Sequence, residues 1–362
     1  MRKLFLTTAI ASLALVGCVE DEPQNAQKQP QQIKFNTPVL YTADGSRANH
    51  QGEISSNIYP EDEDFVVYAI AHEGEFAGWT NGTAAAFNNT VALASNKWTP
   101  INPTTNKPYY WENEYMSFAA YSPANLEQIN WNGANKCSYG ATGLTIEGFE
   151  VAADPTKQFD LLFSKRTHFH KENILTSDNN YSGVTIRFQH ALSSVHFVVE
   201  GDKNAEDLVQ LVSIKVKDVN YKGKFTENIT EDADKYVIGE NVNPSWDVDN
   251  SATASYTAVE VDAANAINFY ENEKLEATAN DLLLMPQELS DNAILEVKYL
   301  VNGEEYVKDI TLNTLTSEST TVDEWVLGTR YYYVLRYHAK DKIYFNPTVE
   351  EWVDVETIYV DL

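Results

Sequence analysis

Cys18 is the residue whose chemistry its neighbours define best. It directly follows the small and branched residues Leu15, Val16 and Gly17. This pattern is typical of a bacterial lipobox, in which cleavage between Gly17 and Cys18 precedes lipidation of the sulfur and acylation of the new amino group. The alternative is an ordinary signal peptide with an incidental cysteine. The spacing favours the lipobox and predicts an anchored lipoprotein outside the cytoplasm.

The residues around Cys18 agree with a secretory start. Arg2 and Lys3 form a positive beginning, and the thirteen residues 4–16 carry no charge. Such a run is too short for a bilayer span, which needs about 20 residues. It therefore predicts a signal peptide at residues 1–17. Residues 23–32 contain almost no apolar side chain, so residues 18–47 are predicted to begin with a flexible tether.

Other potentially reactive groups do not converge on a catalytic or metal site. His168 and His170 could share one face of a strand, but without a convergent cysteine or acid they are interpreted as part of a solvated loop. Asp247 and Asp249 alternate like calcium ligands, yet the glycine and distal glutamate of a calcium loop are missing. Cys137 is interpreted as an inert thiol. We predict no catalytic residue, no metal and no cofactor, and hence no enzyme.

The amino-acid composition limits the kinds of molecule that the protein can bind. The chain has 362 residues and a formal net charge of −27. This charge excludes nucleic acid, whose phosphates require a basic face, and disfavours adsorption along an anionic membrane surface. A hydrophobic fraction of 43% with 12% aromatics indicates well-packed cores, and the acidic charge suits a solvated extracellular surface.

Short apolar runs and turn signals predict an all-β fold. Residues 65–70 and 115–121 are typical of buried strands, and Asn302-Gly303 predicts a hairpin between residues 294–301 and 306–312. His190, where strand alternation stops, is interpreted as a hydrogen-bonded core residue. Many short strands favour β-sandwiches. The polar stretch at residues 176–183 predicts a boundary between domains at residues 48–180 and 181–362.

Several segments together resemble the fimbrillin family of pilins and pilus-associated lipoproteins from Bacteroidales-type bacteria. They are residues 109–111 (YYW), 116–123 (MSFAAYSP), 160–163 (DLLF), 184–195 (VTIRFQHALSSV), 282–287 (LLLMPQ), 325–333 (WVLGTRYYY) and 343–352 (IYFNPTVEEW). The acidic residues 20–22 also resemble a signal that exports lipoproteins to the surface of such bacteria. The resemblance implies two tandem transthyretin-like β-sandwiches in an outer-membrane lipoprotein of cell-surface fimbriae that serves adhesion.

The resemblance also implies a processing site at the start of the first sandwich. Residues 33–41 form a strand candidate, and Arg47 follows in an exposed-looking segment. In fimbrillins, an arginine-specific protease cuts at this position, here between Arg47 and Ala48. The cut removes the first strand and opens a groove for a strand of another subunit. We expect a removable strand at a sheet edge, where Pro38 is tolerated. The alternative is an anchor subunit that is never cut.

Other features leave alternatives open. Ile358, Val360 and Leu362 alternate with polar neighbours and either form a donor strand or close their own sandwich. The implied partners are other fimbrial subunits, a host or bacterial surface receptor, and the outer membrane through the lipid. The competing function is a surface glycan-binding lipoprotein. Its binding platform would be built from exposed tryptophans among the following: Trp79, Trp98, Trp131 and Trp246.

Overall fold

The predicted all-β fold class is confirmed by the computed structural model. The residues that the structure describes are 31–36, 38–40, 59–72, 87–91, 93–94, 97–112, 115–140, 142–171, 183–201, 207–229, 243–269, 274–278, 281–317, 320–338 and 342–351. Within these ranges, strands dominate, and helical turns are confined to α1 (Leu126–Trp131) and two 3-10 helices, Pro155–Lys157 and Leu312–Thr314. No helix within the described ranges is long and apolar enough to cross a membrane.

The strands in the described part of the chain range in length from two to twelve residues. The first thirteen are β1 (Val39–Leu40), β2 (Phe65–His72), β3 (Phe87–Val91), β4 (Leu93–Ala94), β5 (Lys97–Trp98), β6 (Ile101–Asn102), β7 (Lys107–Pro108), β8 (Tyr115–Ser122), β9 (Cys137–Gly140), β10 (Gly143–Glu150), β11 (Leu162–His170), β12 (Arg187–His190) and β13 (Ser193–Gly201). The following fifteen are β14 (Val209–Asn220), β15 (Lys222–Thr226), β16 (Ser245–Val248), β17 (Thr253–Glu260), β18 (Ile267–Asn268), β19 (Lys274–Glu276), β20 (Leu282–Leu284), β21 (Gln287–Glu288), β22 (Ile294–Val301), β23 (Glu304–Thr311), β24 (Thr316–Ser317), β25 (Thr320–Thr321), β26 (Glu324–Trp325), β27 (Thr329–His338) and β28 (Lys342–Glu351).

The first sheet has six strands in the order β1-β12-β11-β8-β2-β3. Both of its faces are covered, because Phe65 and Val67 of β2 pack into an N-terminal core while Val66 and Tyr68 pack into a larger second core. A strand buried on both faces is apolar at successive positions instead of alternating. This explains why residues 65–70 read as a continuous apolar run in the sequence.

A second sheet, of order β16-β15-β10-β9, joins the two parts of the chain. Its central pair is antiparallel, with Ile146 of β10 opposite Phe225 of β15. The first sheet also combines the two parts, since β12 lies beyond residue 181. All of these strands belong to one compact unit of residues 32–362. The domain boundary at residue 181 stays a prediction.

Two further sheets form the C-terminal sandwich. One has β19-β13-β27-β28 as its path, with β20 also on β13, and the other has β17-β14-β22-β23, with β18 also on β14. The predicted hairpin is confirmed, because β22 and β23 pair across Asn302 and Gly303, whose φ angles are 52° and 85°. Tyr331 and Tyr333 of β27 lie in the core between these sheets.

Two histidine interpretations have different outcomes. His190 is confirmed as a buried, hydrogen-bonded residue, since its Nδ1 lies 2.7 Å from Asp160 Oδ2. The solvated loop predicted around His168 and His170 is wrong, because both belong to strand β11. Their side chains contact polar or aromatic partners across the sheet: His168 is hydrogen-bonded to Ser117, and the His170 ring packs at a tilt against Tyr115, with a centroid distance of 4.6 Å. Strand β11 therefore lacks, at these positions, the alternation of apolar residues from which a strand is recognised in a sequence.

Candidate subunit-assembly site

The segment of residues 32–40, here called the N-terminal segment, supplies apolar side chains to the N-terminal core. Ile33, Phe35 and Leu40 are 0%, 4% and 3% exposed. Ile33 and Phe35 are two positions apart, as one face of a strand requires, whereas Leu40 has the opposite parity. The inward face therefore changes between Phe35 and Leu40, which brings both halves of the segment into the core.

Backbone hydrogen bonds hold the N-terminal segment on two sides. On one side, Ile33 N donates to Tyr109 O at 2.9 Å, and Phe35 N donates to Trp98 O at 2.7 Å. On the other side, Asn36 N donates to Val184 O at 2.9 Å, and Val184 N donates to Lys34 O at 2.8 Å. The segment thus lies between two neighbours along residues 33–36.

The expectation of an edge strand holds only for part of the segment. β1 (Val39–Leu40) is the terminal strand of the first sheet and pairs in parallel with β12. Residues 33–36 are instead bonded on both sides, so the edge expectation is wrong there. A segment bonded on both sides leaves two rows of unsatisfied backbone groups when it is removed, and these groups favour replacement by another strand.

The side chain of Asn36 fixes the register of the N-terminal segment against residues 183–185. Its Nδ2 donates to Gly183 O at 3.2 Å and to Thr185 Oγ1 at 3.1 Å. Gly183 has a φ of 100°, and a Cβ at this position would lie 2.9 Å from Asn36 N. Glycine is required here both for the left-handed backbone and for this close approach.

An aromatic cluster surrounds the buried segment. The Phe35 ring packs edge-on against Phe65 and Phe118, with centroid distances of 6.0 and 5.5 Å. Such edge-to-face pairs contribute on the order of 1 kcal/mol each beyond the area they bury. Phe65 in turn contacts Trp98 and Phe188 at 5.4 and 5.6 Å. The groove that holds the segment is therefore built by residues far apart in sequence.

Tyr59 holds the chain in place after the predicted processing site. Its ring stacks on Phe188 at 5.1 Å, and its backbone N donates to Pro38 O at 3.2 Å. Its hydroxyl donates to Asp64 O at 3.0 Å and lies 2.7 Å from Ser122 Oγ. Burial raises the pKa of Tyr59 well above its usual value, so the hydroxyl stays protonated. The ends of the intervening segment, Leu40 and Tyr59, are thus both fixed in the core.

Several predicted site residues lie outside the described residues. They are Gly17, Cys18, Arg47, Ala48, Trp79, Ile358, Val360 and Leu362. Lipidation at Cys18, processing at Arg47 and donation of the C-terminal strand stay predictions. Sequence reasoning did find the segment itself, but it missed Asn36 and Tyr59. The only sequence signal for Tyr59 was an aromatic residue beside the turn that precedes β2.

The remaining candidate groups have structural roles. Cys137 is a buried free thiol, and burial raises its pKa to about 12, which favours the protonated form. Asp249 accepts hydrogen bonds from Ser251 N and Oγ at 3.0 and 2.6 Å, which makes it a turn-forming residue. No group of three or more histidine, cysteine or acidic side chains in the described ranges could hold a metal ion.

The candidate tryptophans occupy different environments. Trp98 is 2% exposed and belongs to the N-terminal core. Trp131 donates its Nε1 to Gly148 O at 2.9 Å and packs on Phe149. Trp246 lines a surface cleft. Of these residues, Trp98 is therefore buried, whereas Trp131 and Trp246 are partly exposed.

Comparisons with known proteins find several solved structures that are similar to this chain. A putative cell adhesion protein from Bacteroides uniformis is 14% identical, with a TM-score of 0.48 over 90% of this chain and 99% of the other. A fimbrial assembly protein from Parabacteroides distasonis is 10% identical, with a TM-score of 0.35 over 88% and 98%. The tip fimbrial protein Mfa3 from Porphyromonas gingivalis is 9% identical, with a TM-score of 0.36 over 80% and 94%. No curated protein matches the chain.

The sequence profile of the fimbrillin-like family matches residues 47–352, which is most of the chain. The chain therefore belongs to the fimbrillin-like family, a family of fimbrial structural proteins of the cell surface rather than of enzymes.

Proposed function

We propose that this protein is a structural or accessory subunit of cell-surface fimbriae that serves adhesion and assembles by β-strand exchange. The observation that carries the proposal is the N-terminal segment, whose side chains fill a core and whose backbone bonds neighbours on both sides. Once the chain is cut between Arg47 and Ala48, only these noncovalent contacts retain the segment. An incoming strand with the same features can then replace it.

The buried apolar side chains of the N-terminal segment determine how much free energy is lost when the segment leaves and regained when another strand replaces it. Fully burying an apolar side chain stabilises a protein by roughly 1.5–3 kcal/mol, so Ile33, Phe35 and Leu40 together contribute several kcal/mol. A groove that loses them exposes apolar surface and unpaired backbone groups, both of which favour association. A donor strand that restores both kinds of contact stabilises the joint between subunits by a similar amount.

Electrostatics does not switch assembly on. Residues 18–47 carry four acidic and three basic side chains, so their removal changes the net charge by one unit. Without Arg2 and Lys3 of the signal peptide, the subunit has a net charge of −29 before processing and −28 after it, so subunits repel each other in both states. Exposure of the groove is therefore the change that permits polymerisation.

Lipidation of Cys18 would hold the unprocessed subunit at the outer membrane, and the cut after Arg47 would release it. Ile358, Val360 and Leu362 are the proposed side chains of the donated strand, because they alternate as strand pockets require. The proposed partners are other fimbrial subunits, with a host or bacterial surface molecule as the adhesion receptor.

The test compares Arg47→Ala with Arg47→Lys in cells of the native host. Both variants should fold, remain at the outer membrane and form no long fibres, because an arginine-specific protease no longer cuts them. Immunoelectron microscopy with antibody against this chain, together with N-terminal sequencing for a fragment that starts at Ala48, provides the readout. Long fibres from Arg47→Ala with residues 33–41 still attached would contradict the mechanism.

A second test concerns the anchor. Cys18→Ser should abolish association with the outer-membrane fraction, because the lipidated cysteine is the proposed attachment point. Unchanged fractionation of this variant would show that another feature anchors the protein.

A further inference from the structure

Strand β23 forms one edge of the sheet β17-β14-β22-β23 in the C-terminal sandwich, and β17 forms the other. In the described part of the chain, β23 pairs with β22 alone. This ladder runs over eight pairs without a register shift, whereas the ladder of β17 with β14 is interrupted twice. Natural sheets avoid long and regular edges, because the unpaired N–H and C=O groups there attract other strands. β23 is therefore an edge to which a further strand can be added.

The side chains of β23 leave this edge accessible. Residues 304–307 and Asp309 are exposed, with Val307 at 57% and Tyr306 at 36%. The Tyr306 ring stacks on Tyr299, its opposite residue on β22, with a centroid distance of 5.7 Å and an interplanar angle of 21°. The ring is thus supported from the side of β22 and keeps exposed surface at the edge of the sheet.

The backbone of β23 presents groups to this edge at regular intervals. The tight turn of the β22–β23 hairpin is closed by Val301 and Glu304, which lie opposite each other. The residues that flank such a turn form a hydrogen-bonded pair. Hydrogen-bonded and non-hydrogen-bonded pairs alternate along an antiparallel ladder. The N–H and C=O groups of Glu305, Val307 and Asp309 therefore point away from β22, to the free edge.

The order of charges along β23 makes the strand complementary to itself. When two copies of one strand pair in antiparallel fashion about a two-fold axis, each residue contacts its counterpart by the same rule in both copies. With the axis at Tyr306, Glu304 of each copy lies opposite Lys308 of the other, so opposite charges meet at both ends of the contact. The edge-facing backbone groups of Glu305 then lie opposite those of Val307 in the second copy, and each such pair can exchange both hydrogen bonds.

Neighbouring registers bring like charges together. An axis at Val307 places Glu305 opposite Asp309, so that carboxylates face each other on both sides of the axis. An axis at Lys308 places the two lysines directly opposite each other. Like charges that lie directly opposite each other destabilise a pair of strands. The charges of β23 therefore favour the register that is centred on Tyr306.

We propose that β23 binds β23 of a second copy of this chain, in the antiparallel register centred on Tyr306. Two edge strands bury less surface than the roughly 1,200 Å² of a stable complex, so the dimer is transient. Repulsion between acidic subunits weakens it further, which makes the charge pairs at its ends decisive. On fimbriae, whose formation rests on the function proposed above, the contact joins neighbouring fibres side by side, because repeated weak contacts add up along a fibre.

Disulfide trapping tests the register with the purified, uncut chain. Every variant includes Cys18→Ser, so that Cys18 forms no intermolecular disulfide, and Cys137 is buried. Tyr306→Cys should form a covalent dimer under mild oxidation, because opposite residues of a non-hydrogen-bonded pair have Cα atoms about 4.5 Å apart, within the range of a disulfide. Val307→Cys is at a more exposed position but lies opposite Glu305 in this register, so it should form about 10-fold less dimer. Equal or stronger cross-linking of Val307→Cys would overturn the proposal.

Charge reversal provides the second measurement, by sedimentation velocity of the uncut chain over a series of concentrations. Lys308→Glu and Glu304→Lys should each raise the dissociation constant of the dimer about 10-fold or more, because each places like charges opposite each other at both ends. The double variant Glu304→Lys/Lys308→Glu should restore the dimer. Lys107→Glu, at an exposed position outside β23, controls for net charge and should dimerise as the unaltered chain does.

Three results of this measurement would overturn the proposal. They are a chain that stays monomeric at every concentration up to about 1 mM, a double variant that dimerises as weakly as the single ones, and a Lys107→Glu variant that is weakened as much as Lys308→Glu. None of these results depends on the cut after Arg47 or on strand exchange.

Discussion

The N-terminal segment and strand β27 are both central to a core, but they are retained in different ways. β27 is paired over eight positions with β13 and over ten with β28. The N-terminal segment is retained by isolated bridges at Gln32 and Phe35, followed by the two-residue strand β1. The fold thus combines extensive pairing near the C-terminus with a sparsely paired element near the N-terminus, which we propose to be separable. This difference is what a subunit that exchanges one strand requires.

The largest expected effect comes from removing the aromatic ring of the separable segment. Phe35→Ala should lower the free energy of unfolding of the uncut chain by about 3–5 kcal/mol, because it leaves a cavity among Phe65 and Phe118. Urea unfolding of the purified chain measures this loss.

Its control is Leu335→Ala in β27, a residue that is 0% exposed. This variant should lose about 2–5 kcal/mol whether or not the chain has been cut after Arg47. The cost of Phe35→Ala should disappear once the cut segment has left. Equal costs in the cut chain for both variants would show that the segment is as permanent as β27.

A second prediction concerns the sheet that joins the two parts of the chain. Glu227 is 0% exposed, and its oxygens accept from Leu144 N and Arg166 N at 2.9 and 2.6 Å. Burial raises its pKa to about 7, although these hydrogen bonds lower it. The folded chain therefore keeps this proton from about pH 4.5 to 7, where the unfolded chain has released it.

Stability should accordingly fall as pH rises through this window, by on the order of 3 kcal/mol for this group. Glu227→Gln cannot titrate, so its free energy of unfolding should fall less between pH 5 and 8 than that of the unaltered chain. Parallel pH profiles of the two proteins, measured by urea unfolding, would contradict the assignment.

A third prediction tests the permanent sheet. Burial lowers the pKa of His196 on β13, but hydrogen bonds to Asp281 and Glu276, with their charges, raise it overall to about 9. The raised pKa contributes stability that is complete below about pH 6.5 and is lost as pH rises through 9. The loss should be on the order of 3 kcal/mol. His196→Gln should lack this alkaline loss in thermal unfolding scans between pH 6 and 10.

The smallest effect is expected at the register contact of the segment. Asn36→Ala removes two side-chain hydrogen bonds and should cost about 1 kcal/mol. Asn36→Asp keeps the size but loses the donor, so it should show a similar loss. If assembly depends on release of the segment, both variants should release it faster after the cut, which size-exclusion chromatography of the cleaved protein measures.

The sequence correctly predicted those strands and turns that are determined by residues close together in the chain. The apolar run of β2 and the turn at Asn302-Gly303 identify their structures within a few residues. The sequence also identified residues 33–41 as a strand candidate, and the structure shows Ile33 and Phe35 within it to be buried. These signals depend on neighbouring residues alone.

Pairing between distant residues could not be predicted in this way. Phe35 lies between Trp98 and Val184, which are far from it along the chain, so periodicity does not reveal the two-sided bonding. The same limit applies to the pairing of β10 with β15 and to the cleft beside Trp246. The sequence offered Trp246 as a candidate for a glycan-binding platform, but it did not reveal the packing of its ring against Phe149 and Phe225.

The most direct test of separability is hydrogen exchange at the Val184 amide, which donates to Lys34 O at 2.8 Å. The folded chain is cut after Arg47, and exchange is followed by mass spectrometry before cutting, after the segment has been washed away, and after a peptide of residues 33–41 is added. We predict that protection of Val184 is lost after the cut and restored by the peptide, while amides of β27 stay protected throughout. Unchanged protection of Val184 after the segment has been removed would contradict the account.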